Sequence, residues 1–371
     1  MKRPLKQYTR ECGLRNKTQE NIPVYSVTNS HGFVPSTDYF SKEVYSKDLS
    51  NYKIVSRGMI AYNPSRVNVG SLAVQNAEDK VIVSPLYVVF SVDESELMPE
   101  YVSYFLHSER GIKEIVAHTS GSVRDSLKFS ALQDIEINIC SLNEQAHIVS
   151  LLQKIERIIE KRRLVLVKID DLVKSQFIEM FEGKNYRVIA IGDEFKTTSG
   201  GTPARSDIKN YENGVIPWMT SGEVSQGLIY EVKGRITEQG YNASSAKWMP
   251  INTVVVAMYG ATAGQVGLLK IATTTNQAVC GIMPSEKFNP LFLYYAVKNQ
   301  KEWMVAQSAG GAQPNISQAV IRRMRVPCPP KEEQNRFAHF AEQTDKSKFR
   351  IKQSLEKLET LYKALLQKYF G

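Results

Sequence analysis

The sequence predicts an α+β protein built twice over. Two similar globular domains are each followed by a long helix, and the two helices pair antiparallel as a coiled-coil spacer with pseudo-twofold symmetry. Three observations carry this. First, Glu144-Gln145 opens a helical stretch ending at Met180-Phe181, and Glu333-Gln334 opens another ending at Tyr369-Phe370; the offset is 333 − 144 = 370 − 181 = 189, without a gap. Leu166 then meets Leu355, Lys168 meets Lys357, Leu172 meets Leu361 and Lys174 meets Lys363. A repeat of this length sets the architecture before any single residue does. Second, apolar residues in both stretches recur at alternating intervals of four and three. Third, the segments between them are short β-branched runs punctuated by Gly, Asn, Ser and Pro, which read as strands and turns.

The predicted segments are a domain over 1–141, a helical spacer over 142–182, a second domain over 183–329 and a second helical spacer over 330–371. The helix starts have their own chemistry. Ser141-Leu142-Asn143-Glu144 has the spacing of a capping box. Pro329-Pro330 before Lys331-Glu332-Glu333 places proline at or near the first helical position with acids in the first turn. The seam of the first helix runs Ile148, Leu152, Ile155, Ile159, then Leu166, Ile169, Val173 and Met180. That of the second runs Phe337, Ala341, then Ile351, Leu355, Leu358, Tyr362, Leu365 and Tyr369. Arg162 and Gln176, with Thr344 and Lys348, interrupt it. An average spacing of 3.5 suits a coiled coil. A helix of about 38 residues is roughly 57 Å long, more than a turn of B-DNA at about 34–36 Å. Such a rod is either a fixed spacer or an ordinary helix pair for packing or oligomerisation.

Within the domains, Lys80 to Val83, Tyr87 to Phe90, Thr253 to Val256 and Gly267 to Lys270 read as strands. Glu100 to Ile115 and Pro290 to Ala306 read as amphipathic helices. Asp134 to Ile139 and Arg323 to Val326 read as closing strands. The order corresponds: Ile22-Pro23-Val24 parallels Ile216-Pro217-Trp218, Ala61-Tyr62 parallels Met258-Tyr259, and Tyr101 to Leu106 parallels Phe292 to Val297. Thr119-Ser120-Gly121 before Leu127 likewise parallels Ala309-Gly310 before Ile316.

Composition bounds the function. A chain of 371 residues with 42% hydrophobic and 23% charged content suits two domains with cores of their own. No apolar stretch of about 18 residues suggests a membrane span, and Met1-Lys2-Arg3-Pro4 begins no signal peptide. The expected location is cytoplasmic, with Cys12, Cys140, Cys280 and Cys328 as reduced, mostly buried thiols lacking metal-site spacing. The net charge of +9 sits in the second half: residues 183–329 carry 15 basic and 9 acidic side chains, and residues 330–371 carry 9 and 6. Such an excess is compatible with a polyanionic partner and is equally common without one.

Several motifs then occur in order: SGGTPARSD at Ser199 to Asp207, IPWMTSGEV at Ile216 to Val224, ITEQGYNASSAK at Ile236 to Lys247, AMYGATAGQVG at Ala257 to Gly267, and TTNQA at Thr274 to Ala278. They resemble the target-recognition domain of type I restriction–modification specificity subunits. The first half, with AYNPSRVNVGS at Ala61 to Ser71 and VSPLYVVF at Val83 to Phe90, is similar to another class of recognition domain in that family. The resemblance covers nearly the whole chain, departing in having little of the short N-terminal helix of many members before the first domain. It implies a non-catalytic subunit that reads an asymmetric, interrupted site in double-stranded DNA, one half per domain. It implies two modification subunits docked on the helices to methylate adenine at N6, and two restriction (motor–nuclease) subunits completing the nuclease. S-adenosylmethionine, ATP and Mg would belong to those partners, with no cofactor or metal in this chain. Helix residues expected to serve docking are Ile148, Leu152, Ile155, Leu166, Ile169, Leu172, Ile351, Leu355, Leu358 and Tyr362.

Base reading needs donors and acceptors matched to groove edges, and phosphate approach needs small residues and free amides. In the second domain these are Thr202, Arg205, Thr220, Ser221, Tyr259, Gly260, Thr262, Gln265, Asn276 and Gln277, with Gln313 and Asn315 from a later loop. In the first domain they are Tyr62, Asn63, Arg66, Asn68 and Ser71, with Arg124 from the corresponding loop. Each has a plainer reading: Gly260 to Gly264 as a hairpin turn, Arg205 as a solvated surface charge, Asn276 as a turn cap, and Trp218 as core rather than contact. Lys128, Arg322, Arg323 and Arg325 would add only general attraction. Catalytic alternatives lack parts. Asn63-Pro64-Ser65-Arg66 is half of an adenine-methyltransferase motif, and Gly260 to Gly267 lacks the ending of a phosphate loop. His31, His107, His118, His147 and His339 form no metal-binding spacing. The rivals are an autonomous methyltransferase or nuclease, and an adaptor binding proteins.

Overall fold

In the computed structural model, which describes residues 1–29, 31–39, 48–119, 126–308 and 315–371, the repeat becomes two units. One comprises residues 1–163 with 353–371, the other residues 164–352. Each unit therefore joins a globular domain to the start of one long helix and the end of the other, a division that the four sequence segments did not anticipate.

The first unit contains strands β1 (Lys2–Pro4), β2 (Thr9–Glu11), β3 (Tyr25–Thr28), β4 (Gly32–Pro35), β5 (Lys53–Ser56), β6 (Ile60–Tyr62), β7 (Leu72–Val74), β8 (Lys80–Val83), β9 (Val88–Val92) and β10 (Glu136–Asn138). Its helices are α1 (Ser36–Tyr39), α2 (Pro99–His107), α3 (Glu109–His118), α4 (Phe129–Asp134) and the first part of α5 (Leu142–Phe181). A sheet in the order β2-β9-β6-β7 forms the centre. Side chains alternate across it as a strand requires. Ile60, Tyr62, Val88 and Phe90 enter a core with α2, α4 and the long helices, whereas Ala61 and Val89 enter a second core with Val27, Val55, Val81 and Val83. Both faces are covered, which explains the near-continuous apolar runs.

The second unit repeats this plan. Its strands are β11 (Val188–Ala190), β12 (Thr197–Ser199), β13 (Ile216–Met219), β14 (Leu228–Ile229), β15 (Arg235–Ile236), β16 (Trp248–Met249), β17 (Val254–Ala257), β18 (Val266–Leu269), β19 (Thr273–Thr275), β20 (Val279–Ile282) and β21 (Arg325–Pro327). Its helices are α6 (Ile191–Glu194), α7 (Glu238–Asn242), α8 (Pro290–Lys298), α9 (Lys301–Ala306), α10 (Gln318–Arg323) and part of α11 (Lys331–Phe370). The sheet β12-β20-β17-β18-β14 reproduces β2-β9-β6-β7 and adds a strand. A second sheet, β15-β13-β19-β16, joins β13 and β19 in parallel. In both units the terminal strand pair is antiparallel: β1 on β10, β11 on β21.

The register corrects one expected correspondence. Phe90 faces both Glu11 and Ile60, and Cys280 faces both Ser199 and Val256. Aligning these triplets makes Tyr62 equivalent to Met258, not Tyr259. A shift of one residue moves a side chain to the opposite face, so Tyr62 points inward while Tyr259 does not. The expected single helices also divide. α2 stops at Ser108, whose hydroxyl caps α3 through the Gly111 amide at 3.1 Å, and α8 gives way to α9 across Asn299 and Gln300.

The long helices start and end where the sequence places them, and they run antiparallel in each unit. Arg163 pairs with Glu359 at 2.6 Å in the first, and Lys348 with Asp170 at 2.6 Å in the second. The Gln of each repeated Glu-Gln pair is buried and fully bonded. Gln145 accepts the Met98 amide and donates to the Glu96 and Cys140 carbonyls, each at 2.9 Å. Gln334 accepts the Asn289 amide at 2.8 Å and donates to the Lys287 and Pro329 carbonyls at 3.2 and 2.9 Å. The helix ends close each unit with aromatics that the seam pattern passed over. Phe370 lies 5.0 Å from Tyr101, and Phe181 4.9 Å from Phe292.

Several expected docking positions are core instead. Ile148 and Leu152 are buried in the core that the first globular domain forms with the long helices, and Ile155 is buried too. Leu166, Ile169, Ile351, Leu355, Leu358 and Tyr362 are half-buried, and Leu172 is exposed. The four cysteines are free, but only Cys280 is buried; burial pushes its thiol up to about 12. No helix among the described residues is long and apolar enough to cross a membrane.

Candidate nucleic-acid interface

In the second unit, five loops converge where β13, β17 and β19 end and β20 begins. Backbone hydrogen bonds join them: Gly201 N to Thr275 O at 2.9 Å, Asn276 N to Met219 O at 3.0 Å, Met258 N to Ala278 O at 2.8 Å and Ile316 N to Met258 O at 2.9 Å. Tyr259 forms a bridge with Asn315. The structure thus brings together Thr202, Thr220, Ser221, Tyr259, Gly260, Thr262, Gln265, Asn276, Gln277 and Asn315, which lie far apart in sequence. Gln313 lies outside the described residues.

The close packing of these loops depends on small residues. A Cβ on Gly200 would stand 1.9 Å from the Thr275 carbonyl oxygen, so the Ser199-Gly200-Gly201 run serves backbone approach within the protein. Gly260 differs. Its φ is +76° and a Cβ there would meet nothing within 4 Å, which leaves its backbone open to a ligand in a conformation that favours glycine.

Accessibility sorts the candidates. Arg205, Tyr259, Gln277 and Asn315 are exposed; Thr202, Thr220, Ser221, Gly260, Thr262, Gln265 and Asn276 are half-buried. Arg205 makes no hydrogen bond or ion pair among the described residues, and its guanidinium opposes the upward push of burial on the Tyr211 phenol. The Thr202 hydroxyl donates to the Gln277 carbonyl oxygen, orienting the Gln277 amide. Other polar groups are used internally. Asn276 Oδ1 accepts the Ala278 amide at 3.2 Å, the turn-capping role. Glu223 closes a capping box on Thr220 and accepts the Lys233 amide at 2.8 Å. Trp218 is core, with its indole N–H donating to the Gly201 carbonyl at 3.0 Å.

Two side chains passed over in the sequence join this surface. Exposed Lys247 and Trp248 flank the loop against Gly201, and Trp248 pairs with Thr274 in β16–β19. Lys247 closes the ITEQGYNASSAK motif and Trp248 directly follows it.

In the first unit the corresponding loop links β6 to β7. Arg66 and Asn68 are exposed, with no hydrogen bond from either side chain among the described residues. Asn63 is half-buried, and its Oδ1 accepts the Ser65 amide at 3.1 Å, shaping the turn. Two expectations are overturned. Tyr62 is fully buried and its hydroxyl donates to the Leu127 carbonyl at 3.1 Å; burial raises its phenol. Ser71 is buried and donates to the Val27 carbonyl at 2.8 Å. Neither is available to DNA, because the inward face of the register claims them. Arg124 lies outside the described residues, but Leu127 N bonds Pro64 O at 3.0 Å, as Ile316 does with Met258. No group of side chains able to hold a metal is found among the described residues.

The comparisons agree with this duplicated geometry. The family model described as type I restriction modification DNA specificity domain matches twice, over residues 11–168 and 183–360. A type I restriction enzyme specificity subunit of Escherichia coli is 26% identical over 160 residues, covering 42% of this chain and 40% of that protein. One from Methanocaldococcus jannaschii is 29% identical over 192 residues, covering 50% and 44%. The matched region is thus less than half the length of these relatives. Among solved structures, the S subunit of a type I restriction-modification system from M. genitalium aligns with a TM-score of 0.60 at 16% identity, over all of this chain and 96% of that one. A chain from a type I R-M system assembly aligns with a TM-score of 0.63 at 16% identity, over 100% and 97%. With both halves of the chain matched by one family model, on a fold shared along its whole length, this chain belongs to the type I restriction modification DNA specificity family.

Proposed function

We propose that this chain is the non-catalytic DNA-reading subunit of a type I restriction–modification complex, recognising an asymmetric two-part site in double-stranded DNA, one half per unit. The observation that supports this most is the recurrence of one hairpin loop on one sheet scaffold with different side chains. Arg66 and Asn68 project from the β6–β7 loop, whereas Tyr259, Gly260 and Thr262 occupy the β17–β18 loop. The scaffold is conserved between the units and the reading surface is not, as two unlike half-sites would require.

On this reading two modification subunits dock on the long helices and methylate adenine at N6, and two restriction subunits add cleavage. S-adenosylmethionine, ATP and Mg act in those partners, in the cytoplasm. Exposed Leu164, Val165, Val167 and Leu172 on α5 are better docking candidates than the buried part of the expected seam. Sequencing adenine methylation in cells with and without this gene, and assaying the purified chain with and without a modification subunit, tests the proposal. A two-part methylated site that needs both proteins is the expected result. Methyl transfer or cleavage by the chain alone would overturn it, as would absence of DNA binding at low salt.

A further inference from the structure

Each long helix carries two polar positions that repeat at the same offset. The first is the Gln145/Gln334 clamp. The second lies eleven residues on, at Glu156 and Asp345 (156 − 145 = 345 − 334 = 11; 345 − 156 = 189). In the first unit both carboxylate oxygens of Glu156 are occupied. Oε2 accepts from the Tyr104 hydroxyl of α2 and Oε1 from the Tyr362 hydroxyl of α11, each at 2.7 Å. In the second unit Asp345 has Asp170, Lys298 and Lys348 around it, and its Oδ2 has no hydrogen-bond partner among the described residues, so the Glu156 pairing is not reproduced there.

The Glu156 contact bridges a gap in the packing. A cavity of about 500 Å³ separates the β3–β4 hairpin and α2 from the long helices, with Tyr104, Glu156, Tyr362 and Leu366 on its wall. The Glu156 bonds span this opening beside the apolar core that Ile148, Leu152 and Phe370 form with α2. Phenol-to-carboxylate bonds are directional and stronger than neutral ones. A second directional tie, about 16 Å along the helix from the glutamine clamp, adds a constraint on the angle that non-directional apolar packing supplies less sharply.

We propose that Glu156 is a positioning residue for DNA recognition, locking the angle of the first domain on its own helices and thereby the gap accepted between half-sites. This rests on the two-part-site reading. The test compares the full complex carrying the parent chain with Tyr104→Phe/Tyr362→Phe and Glu156→Gln variants, by methylome sequencing and thermal melting. The rings stay, so packing is kept. Methylation at sites with a gap one base pair longer or shorter is expected to rise about five-fold in the double variant, with half-site bases unchanged. Glu156→Gln, which keeps one acceptor oxygen, should give a smaller rise. An unchanged gap distribution, whether or not the melting temperature or total methylation falls, overturns the proposal. A parent complex that modifies no two-part site overturns the functional reading instead.

Discussion

At the scale of single residues, the repeated glutamines and the exposed arginines do opposite work. Gln145 and Gln334 each satisfy one backbone amide and two carbonyls in a buried setting. Replacing either with Leu removes all three bonds and leaves buried groups unpaired, at about 1–3 kcal/mol for a buried group. Urea denaturation should show a loss of about 2–4 kcal/mol in each variant, similar in the two. The side chains of Arg66 and Arg205, by contrast, make no hydrogen bond or ion pair among the described residues. Arg66→Ala or Arg205→Ala should leave denaturation unchanged and weaken DNA binding. If the lost contact is to a phosphate, binding titrated against salt should show the log–log slope reduced by about 1. A variant that melts early but binds with the parent's salt dependence would move that arginine from the interface to the scaffold.

At the scale of elements, Asp345 on α11 makes the second unit sensitive to pH. Burial raises its carboxyl above the usual range; Asp170 pushes the same way, while Lys348, Lys298 and Lys270 oppose it. Its Oδ2 has no hydrogen-bond partner among the described residues. The folded state therefore keeps this proton at a pH where the unfolded chain has lost it. The group favours the fold fully below the ordinary aspartate value of 3.8, and that advantage disappears as pH rises through the raised folded value. Asp345→Asn cannot ionise, so it should melt higher than the parent near neutral pH, with the difference shrinking on acidification toward 3.8. Melting curves over that range check the sign. Element boundaries also show where pattern reading stops. The helix seam was legible at Ile148, Leu152 and Val173, which recur as a heptad requires. Phe177, Phe181 and Phe370 were not, because they answer to domain aromatics outside the helix pattern.

At the scale of the whole molecule, the gapless helices carry the strongest prediction. Inserting four residues, about one helical turn, into both α5 and α11 should change the gap of the methylated site and leave both half-sites unchanged. Methylome sequencing showing new half-site bases at the parental gap would sink the spacer idea. The duplicated plan was readable in advance because a repeat at a constant offset survives in residue identities: Glu144-Gln145 and Glu333-Gln334 are legible without coordinates. The exposed loop residues Arg66, Asn68, Arg205 and Gln277 were legible for the same local reasons. Tertiary structure alone decided which face each side chain takes. Tyr62 and Ser71 had the right chemistry for DNA and are buried, because sheet register, set by contacts between distant strands, overrides what a loop's composition suggests. Trp248 is set beside Thr274, next to the candidate loops, only because β16 pairs with β19. Local chemistry is written along the chain; long-range pairing is not, and it determines which of that chemistry meets solvent.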